Sequence, residues 1–131
     1  MPHVLIETRR ECSRAEEEAL MEAVHGALRR AFRIPADDRH VRLVSHEPHR
    51  FAVPPGMDQP DRFVQVSIDA FAGRSIDAKR ELYREIVECL EPLGIPRDHV
   101  SIVVRDLPRE NWGIRGGIAA SDVELGFDVN V

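Results

Sequence analysis

Lysine is almost missing from this sequence. Of its 18 basic residues only Lys79 is lysine, and the rest are arginine. Arginine is a fixed charge suited to gripping carboxylates and hardly ever serves as base or nucleophile. Any amine chemistry therefore rests with Lys79 or the amino terminus. Cysteine is scarce as well: Cys12 and Cys89 have neither metal-ligand spacing nor the density of a disulfide scaffold, which points to a reducing, cytoplasmic setting. Five Phe, one Tyr and one Trp offer no platform for stacking bases. A formal net charge of −5 argues against a nucleic-acid partner, because phosphate binding needs a positive field. No apolar run approaches a membrane span, and no charged-then-apolar signal segment precedes Pro2, so no membrane association is expected. At 131 residues the default is one domain, residues 1–131, with a real core.

What the chain does have is periodicity. His3–Thr8 alternates, with Val4 and Ile6 on one side, and reads as a strand. Ser13 and Glu16 form a capping box. Behind it Ala15, Ala19, Leu20, Ala23, Val24, Ala27, Leu28, Ala31 and Phe32 recur at helical spacing, up to a stop at Pro35. Val41–Val44 reads as a second strand, and the proline-rich stretch from His46 to Pro60 as a connector. A third strand is expected over Arg62–Ala70. A second helix is capped by Ser75, carries the stripe Ile76, Leu82, Tyr83, Ile86, Val87, Leu90 and Leu93, and stops at Gly94 and Pro96. Val100–Val104 predicts a fourth strand, and the alternating tail Val123–Val131 a final one.

The chain also repeats itself. "FRIPADDRHVRLV" closes one β-α-β unit and "LGIPRDHVSIVV" the other, with Pro35 and Pro96 separated by 61 residues. Two fused halves, about 2–46 and 62–131 around a connector at 47–61, predict an α+β fold. In it a four-stranded mixed sheet with short extra strands carries two helices on one face, the strands running parallel within each half. A shift of 61 sets Pro2 against Phe63 and Arg74 against Ser13, so each half keeps one part of a single site. A non-catalytic ferredoxin-like binding or assembly module shares the element order. The extra strand and the duplication lean away from it.

Pro2 raises the main chemical question. Removal of Met1 would bare a secondary amine with an ordinary pKa of about 7.7–8.0. Burial and a nearby arginine would lower that value and leave a neutral base. The alternative is a proline that merely opens a strand. Arg74 lies between the third strand and the cap of the second helix, where helix N–H groups add to its planar fork. His40, at the start of the second strand, is a candidate polar contact, although its repeat partner His99 favours a structural role for both. "NWGIRGG" at 111–117 is a glycine-rich turn. It offers Trp112 as a pocket wall and Arg115 as a carboxylate contact, or else a hairpin with Trp112 at a subunit contact. Lys79 is expected to be solvated. His46 and His49 lack partners at ligand spacing, so no metal is expected.

With Pro2 heading a strand, the 61-residue repeat and "GRSIDAKREL" at 73–82, the chain resembles the tautomerase superfamily. It is most similar to the fused subgroup that includes malonate semialdehyde decarboxylase. The resemblance implies a tautomerase/MIF-like fold and a homotrimer. The implied activity is isomerisation of small unsaturated or 2-oxo carboxylic acids, with no cofactor. It implies Pro2 as base, Arg74 as carboxylate ligand and enolate stabiliser, and an acid in "PADDRH" that orients or activates water. Asp38 corresponds to that acid, with Asp37 its neighbour and competitor. Hydratase, dehalogenase or decarboxylase activity is the related alternative. The decarboxylase-like relatives carry a second arginine two residues beyond the first; this chain has Ile76, which argues against decarboxylation.

Overall fold

In the computed structural model, which describes residues 1–131, the elements run in the expected order. They are β1 (Pro2–Thr8), α1 (Arg14–Phe32), β2 (His40–Ser45), β3 (Val64–Phe71), α2 (Ile76–Leu90) and β4 (Val100–Leu107). The strands form one sheet in the order β2-β1-β3-β4. β1 runs parallel to β2 and β3 parallel to β4, while the central pair is antiparallel, with Pro2 opposite Ala70 and Thr8 opposite Val64. This is a mixed sheet built from two β-α-β units. No helix is long and apolar enough to cross a membrane.

Each helix forms for the reasons its sequence supplies. Ser13 accepts the Glu16 N–H and Glu16 returns the bond to Ser13, which completes the capping box. Ser75 caps α2 in the same way, by accepting the Ala78 N–H. Leu20, Val24, Leu28 and Phe32 on α1, with Ala78, Leu82, Ile86 and Leu90 on α2, pack onto Val4, Ile6, Val64, Val66 and Ile68 of the sheet. Burial of these apolar faces supplies the main drive to fold. The other face of the sheet carries no helix and leaves Val44 and Val103 exposed at its edge strands.

The two halves align differently from the single 61-residue shift. The caps Ser13 and Ser75, and the buried pairs Leu20/Leu82, Val24/Ile86 and Leu28/Leu90, are all 62 apart. Only past the helices, at Pro35 and Pro96, does the spacing fall to 61. Arg74, next to its cap, therefore matches Cys12. Pro2 and Arg74 still fall in different halves.

Three expectations need correction. Ile76 is not part of the buried stripe; it is the first residue of α2 and is 57% exposed, because the buried ladder starts at Ala78 and steps every four residues. Lys79 is not simply solvated but pairs with Asp106. The tail over Val123–Val131 forms no strand. The short hairpin is instead β5 (Gly113–Ile114) with β6 (Ile118–Ala119). The tail's alternation does reflect one buried face, since Val129 is buried and Leu125 and Phe127 are half-buried. A ladder also needs a free strand alongside, and here the tail is an irregular strap packed on Phe71 and Trp112.

Candidate active site

The site lies at the end of the sheet where β1 begins and β3 ends. Pro2 is buried opposite Ala70, so the amino terminus emerges beside the Phe71–Ser75 turn. Phe71 belongs to a second, smaller core with Trp112, Ile114, Ala120 and Val129. Above it opens a cleft of about 360 Å³. Met1 forms part of its wall. Pro35, Asp37, Asp38 and His40 line one side; Phe71, Ile114, Arg115, Leu125 and Phe127 line the other.

The strap closes the cleft through specific anchors. The Arg109 guanidinium donates through Nη2 to the carbonyls of Ala120 and Val123, both at 2.9 Å, and Arg115 donates to the Glu124 carbonyl at 3.0 Å. Ser75 Oγ donates to the Val131 carbonyl at 2.8 Å. Gly73 makes the approach possible: at φ 138° a Cβ there would stand 2.9 Å from Asn130 Oδ1 and 3.1 Å from the Val129 carbonyl. The glycine of "GRS" thus has a packing role that its sequence context did not disclose.

Arg74 is the unusual group. It is only 5% exposed, with its guanidinium 4.8 Å from the centre of the Phe32 ring and Nη1 donating to the Phe71 carbonyl at 3.1 Å. Its Nε and Nη2 have no partner. Burial disfavours its charge, and Asp106 and Asp128 offset this only in part. A buried cation with idle donors is costly unless an anion completes it. The amino terminus of α2, just beyond, favours negative charge as well.

The amino-terminal nitrogen lies within the field of Arg74. Burial first, and that guanidinium second, pull the Met1 amine from 8.0 down to about 5. The Asp38 carboxylate, in contact with the same nitrogen, acts in the opposite sense by favouring the cation. Amine and acid are thus in contact, and the guanidinium acts on the amine from beneath, since Arg74 itself does not line the cleft. Asp38 makes the contact; Asp37 lines the cleft without it.

The remaining candidates divide. Arg115 lines the cleft at the tip of the hairpin, in a left-handed conformation with φ 49°. Trp112 is a buried wall behind Phe71, with ring centres 4.9 Å apart and its Nε1–H unpartnered, and does not line the cleft itself. His40 differs from the structural role that its repeat partner suggested. It stands exposed at the mouth, its ring tilted against that of His3 with centres 4.7 Å apart. His99 is the buried one; its Nδ1 faces Asp98 at 2.7 Å and its Nε2 accepts the Gln59 N–H at 3.2 Å. The two extra residues in "PADDRH" relative to "PRDH" separate these fates. Sequence reasoning missed Met1, Phe71, Leu125 and Phe127 as cleft residues. Only the alternation of the tail hinted at the last two. No three His, Cys, Asp or Glu side chains gather where they could hold a metal.

A family model described as "Tautomerase enzyme" matches residues 38–115. The 2-hydroxymuconate tautomerase of Comamonas testosteroni is 38% identical over 55 residues, which is 41% of this chain and 82% of that protein. Among solved structures, FG41 malonate semialdehyde decarboxylase inhibited by 3-bromopropiolate superposes with a TM-score of 0.79 at 28% identity, covering 89% of this chain and 92% of that one. A fused 4-OT that is a symmetric trimer gives 0.79 at 22% identity, over 90% of this chain and 95% of its own.

Proposed function

The chain belongs to the tautomerase family, and from that premise we propose that it is a keto–enol tautomerase of small unsaturated or 2-oxo carboxylic acids, active once Met1 is removed and Pro2 becomes the amino terminus. The supporting observation is the buried Arg74 guanidinium, with two idle N–H groups, acting on a half-buried terminal amine.

Loss of Met1 would remove its part of the wall and hand its position to substrate. The Pro2 nitrogen, next along β1, would share the burial and the guanidinium field that depress the Met1 amine. It would then be a neutral secondary amine near neutral pH, suited to general base catalysis. Arg74 would take the substrate carboxylate through Nε–H and Nη2–H and hold the enolate charge as it develops. The Pro2 nitrogen would draw the proton from the enol oxygen or α-carbon and return it along the conjugated system. Asp38 would steady the ammonium formed between these two transfers. The substrate carbonyl itself is the electron sink, so no cofactor is called for. His40 and Arg115 at the mouth would complete substrate binding, while Trp112 backs Phe71 from behind.

Asp38 also favours a second reading. A carboxylate beside the base could activate water for addition to an unsaturated acid. Decarboxylation has less support, since the exposed Ile76 brings no second cation to the pocket.

The test uses 3-bromopropiolate, the inhibitor of the FG41 relative. Incubation gives one adduct, located by peptide mass spectrometry on Pro2. Protein that retains Met1, separated by intact mass, stays unlabelled and fails to ketonise phenylenolpyruvate. Equal labelling and turnover with Met1 in place would reject the proposal.

The open face of the sheet, bearing Val44 and Val103, and the trimeric fused 4-OT support assembly as a homotrimer. Light scattering coupled to gel filtration should return a trimer mass. A monomer at micromolar concentration would exclude it.

A further inference from the structure

His25 is a buried polar residue that the proposed chemistry leaves unused. It is 4% exposed, on α1 between the core residues Val24 and Leu28. An imidazole taken out of water there is costly unless its nitrogens find partners. Nε2 lies 3.1 Å from the carbonyl oxygen of Ala36. A carbonyl only accepts, so the bond requires the proton on Nε2.

That carbonyl belongs to the turn that carries the acids. Asp38 N–H donates to the Pro35 carbonyl at 3.1 Å and closes the turn. Ala36 sits at its crest, just before Asp37 and Asp38. One helical turn before His25, Glu22 pairs with Arg39, the residue after Asp38. Two side chains of α1, spaced i and i+3 and so on one face, thus grip the turn from below.

The duplicated half offers an internal comparison. With the 62-residue spacing of the helices, the position of His25 is held in α2 by Val87. The turn that follows α2 carries Asp98, whose side chain is 87% exposed, with no amine opposite it. Packing alone is satisfied by valine. The imidazole occurs in the half whose following turn sets its acid against the amine.

We propose that His25 is the positioning residue for Asp38: its Nε2–H, fastened to the Ala36 carbonyl, sets the Pro35–Asp38 turn so that the Asp38 carboxylate meets the amino-terminal nitrogen. The inference rests on the reading of Asp38 given above. The charged and titratable groups around Asp38 are that nitrogen from β1, Arg115 of the hairpin across the cleft, His40 of β2 and Asp37 beside it, and, through the nitrogen, Arg74 from the β3–α2 turn. A displaced turn withdraws the carboxylate from the amine and leaves the guanidinium unopposed.

The test is a double-mutant cycle on phenylenolpyruvate ketonisation with His25→Leu, His25→Gln and Asp38→Asn, each with a pH profile and a melting curve. His25→Leu lowers kcat about 10-fold with little change in KM, since misplacement by about 1 Å costs up to about 10²-fold. It also moves the acid limb of kcat/KM to lower pH, the direction Asp38→Asn gives, because losing a neighbouring carboxylate lowers an amine's pKa. His25→Gln, which keeps an N–H donor, restores both. Added to Asp38→Asn, His25→Leu lowers the melting temperature without further loss of turnover. If Asp38→Asn is unchanged in rate and profile, the reading of the acid fails and takes this inference with it. If Asp38→Asn responds but the effect of His25→Leu is additive or absent, only the inference falls. Nitrogen-15 NMR of the wild type gives a check that does not depend on how the leucine variant folds: the neutral ring carries its proton on Nε2, and a ring protonated on Nδ1 alone overturns the inference.

Discussion

Pro2→Ala lowers phenylenolpyruvate turnover by about 10²-fold or more, the scale of a lost general base, while the melting temperature stays within a few degrees. The structure supplies both halves of this expectation. Pro2 begins β1 opposite Ala70, and the anchoring apolar residues of that strand are Val4 and Ile6, not Pro2. Alanine fits the same extended backbone. What it removes is the secondary amine, leaving a primary one without the ring that fixes its direction. The pH profile carries a further sign. The base acts when neutral, so kcat/KM climbs as the terminal amine loses its proton. Burial and the Arg74 guanidinium disfavour the cation, as they do for the Met1 amine. The midpoint of the acid limb therefore lies below the ordinary value of about 7.7–8.0. Full turnover by Pro2→Ala with an unshifted profile would end the amine mechanism.

The second large effect belongs to Arg74. Arg74→Met raises KM by about 10²-fold, since two charge-assisted hydrogen bonds to the carboxylate at about 1.5 kcal/mol each are lost. The folded protein is expected to be no less stable, and its melting temperature holds or rises. Arg74 is buried with Nε and Nη2 unpartnered, and an apolar side chain of similar length removes that desolvation cost. Binding lost without stability lost is the mark of a group placed for a ligand. The same variant moves the acid limb of kcat/KM to higher pH, because a guanidinium that disfavoured the ammonium has gone. A large fall in melting temperature with KM unchanged would show Arg74 to be a structural ion instead.

Legibility in the sequence followed the range of the interactions. The Ser13–Glu16 capping box lies within one turn of chain, and both ends of α1 were readable from it and from Pro35. The 3.6-residue recurrence of Leu20, Val24 and Leu28 depends only on which helical face meets the sheet. Pro2 and Arg74 stood out in the sequence because each carries chemistry that few other residues can supply. Ile76 failed because a residue in the first helical turn can satisfy the period and still project past the sheet. The Val123–Val131 tail failed for a related reason: alternation reports one buried face, whether or not a neighbouring strand is present. His25 did leave a trace, a polar residue among Val24, Ala27 and Leu28. Its partner, though, is a backbone carbonyl 11 residues on, and carbonyls have no letter in a sequence.

The chain's own order of residues determined the duplicated β-α-β plan, the two capped helices and the placing of Pro2 and Arg74 in different halves. Each of these rests on local geometry or on side-chain chemistry. Tertiary structure decided which of Asp37 and Asp38 touches the amine, that Arg74 is buried with two donors idle, that His40 faces the mouth while His99 is enclosed, and that the tail straps the cleft. Those outcomes turn on distances of a few ångströms between segments far apart in the chain. Such distances arise only when the cores of both halves pack against one sheet.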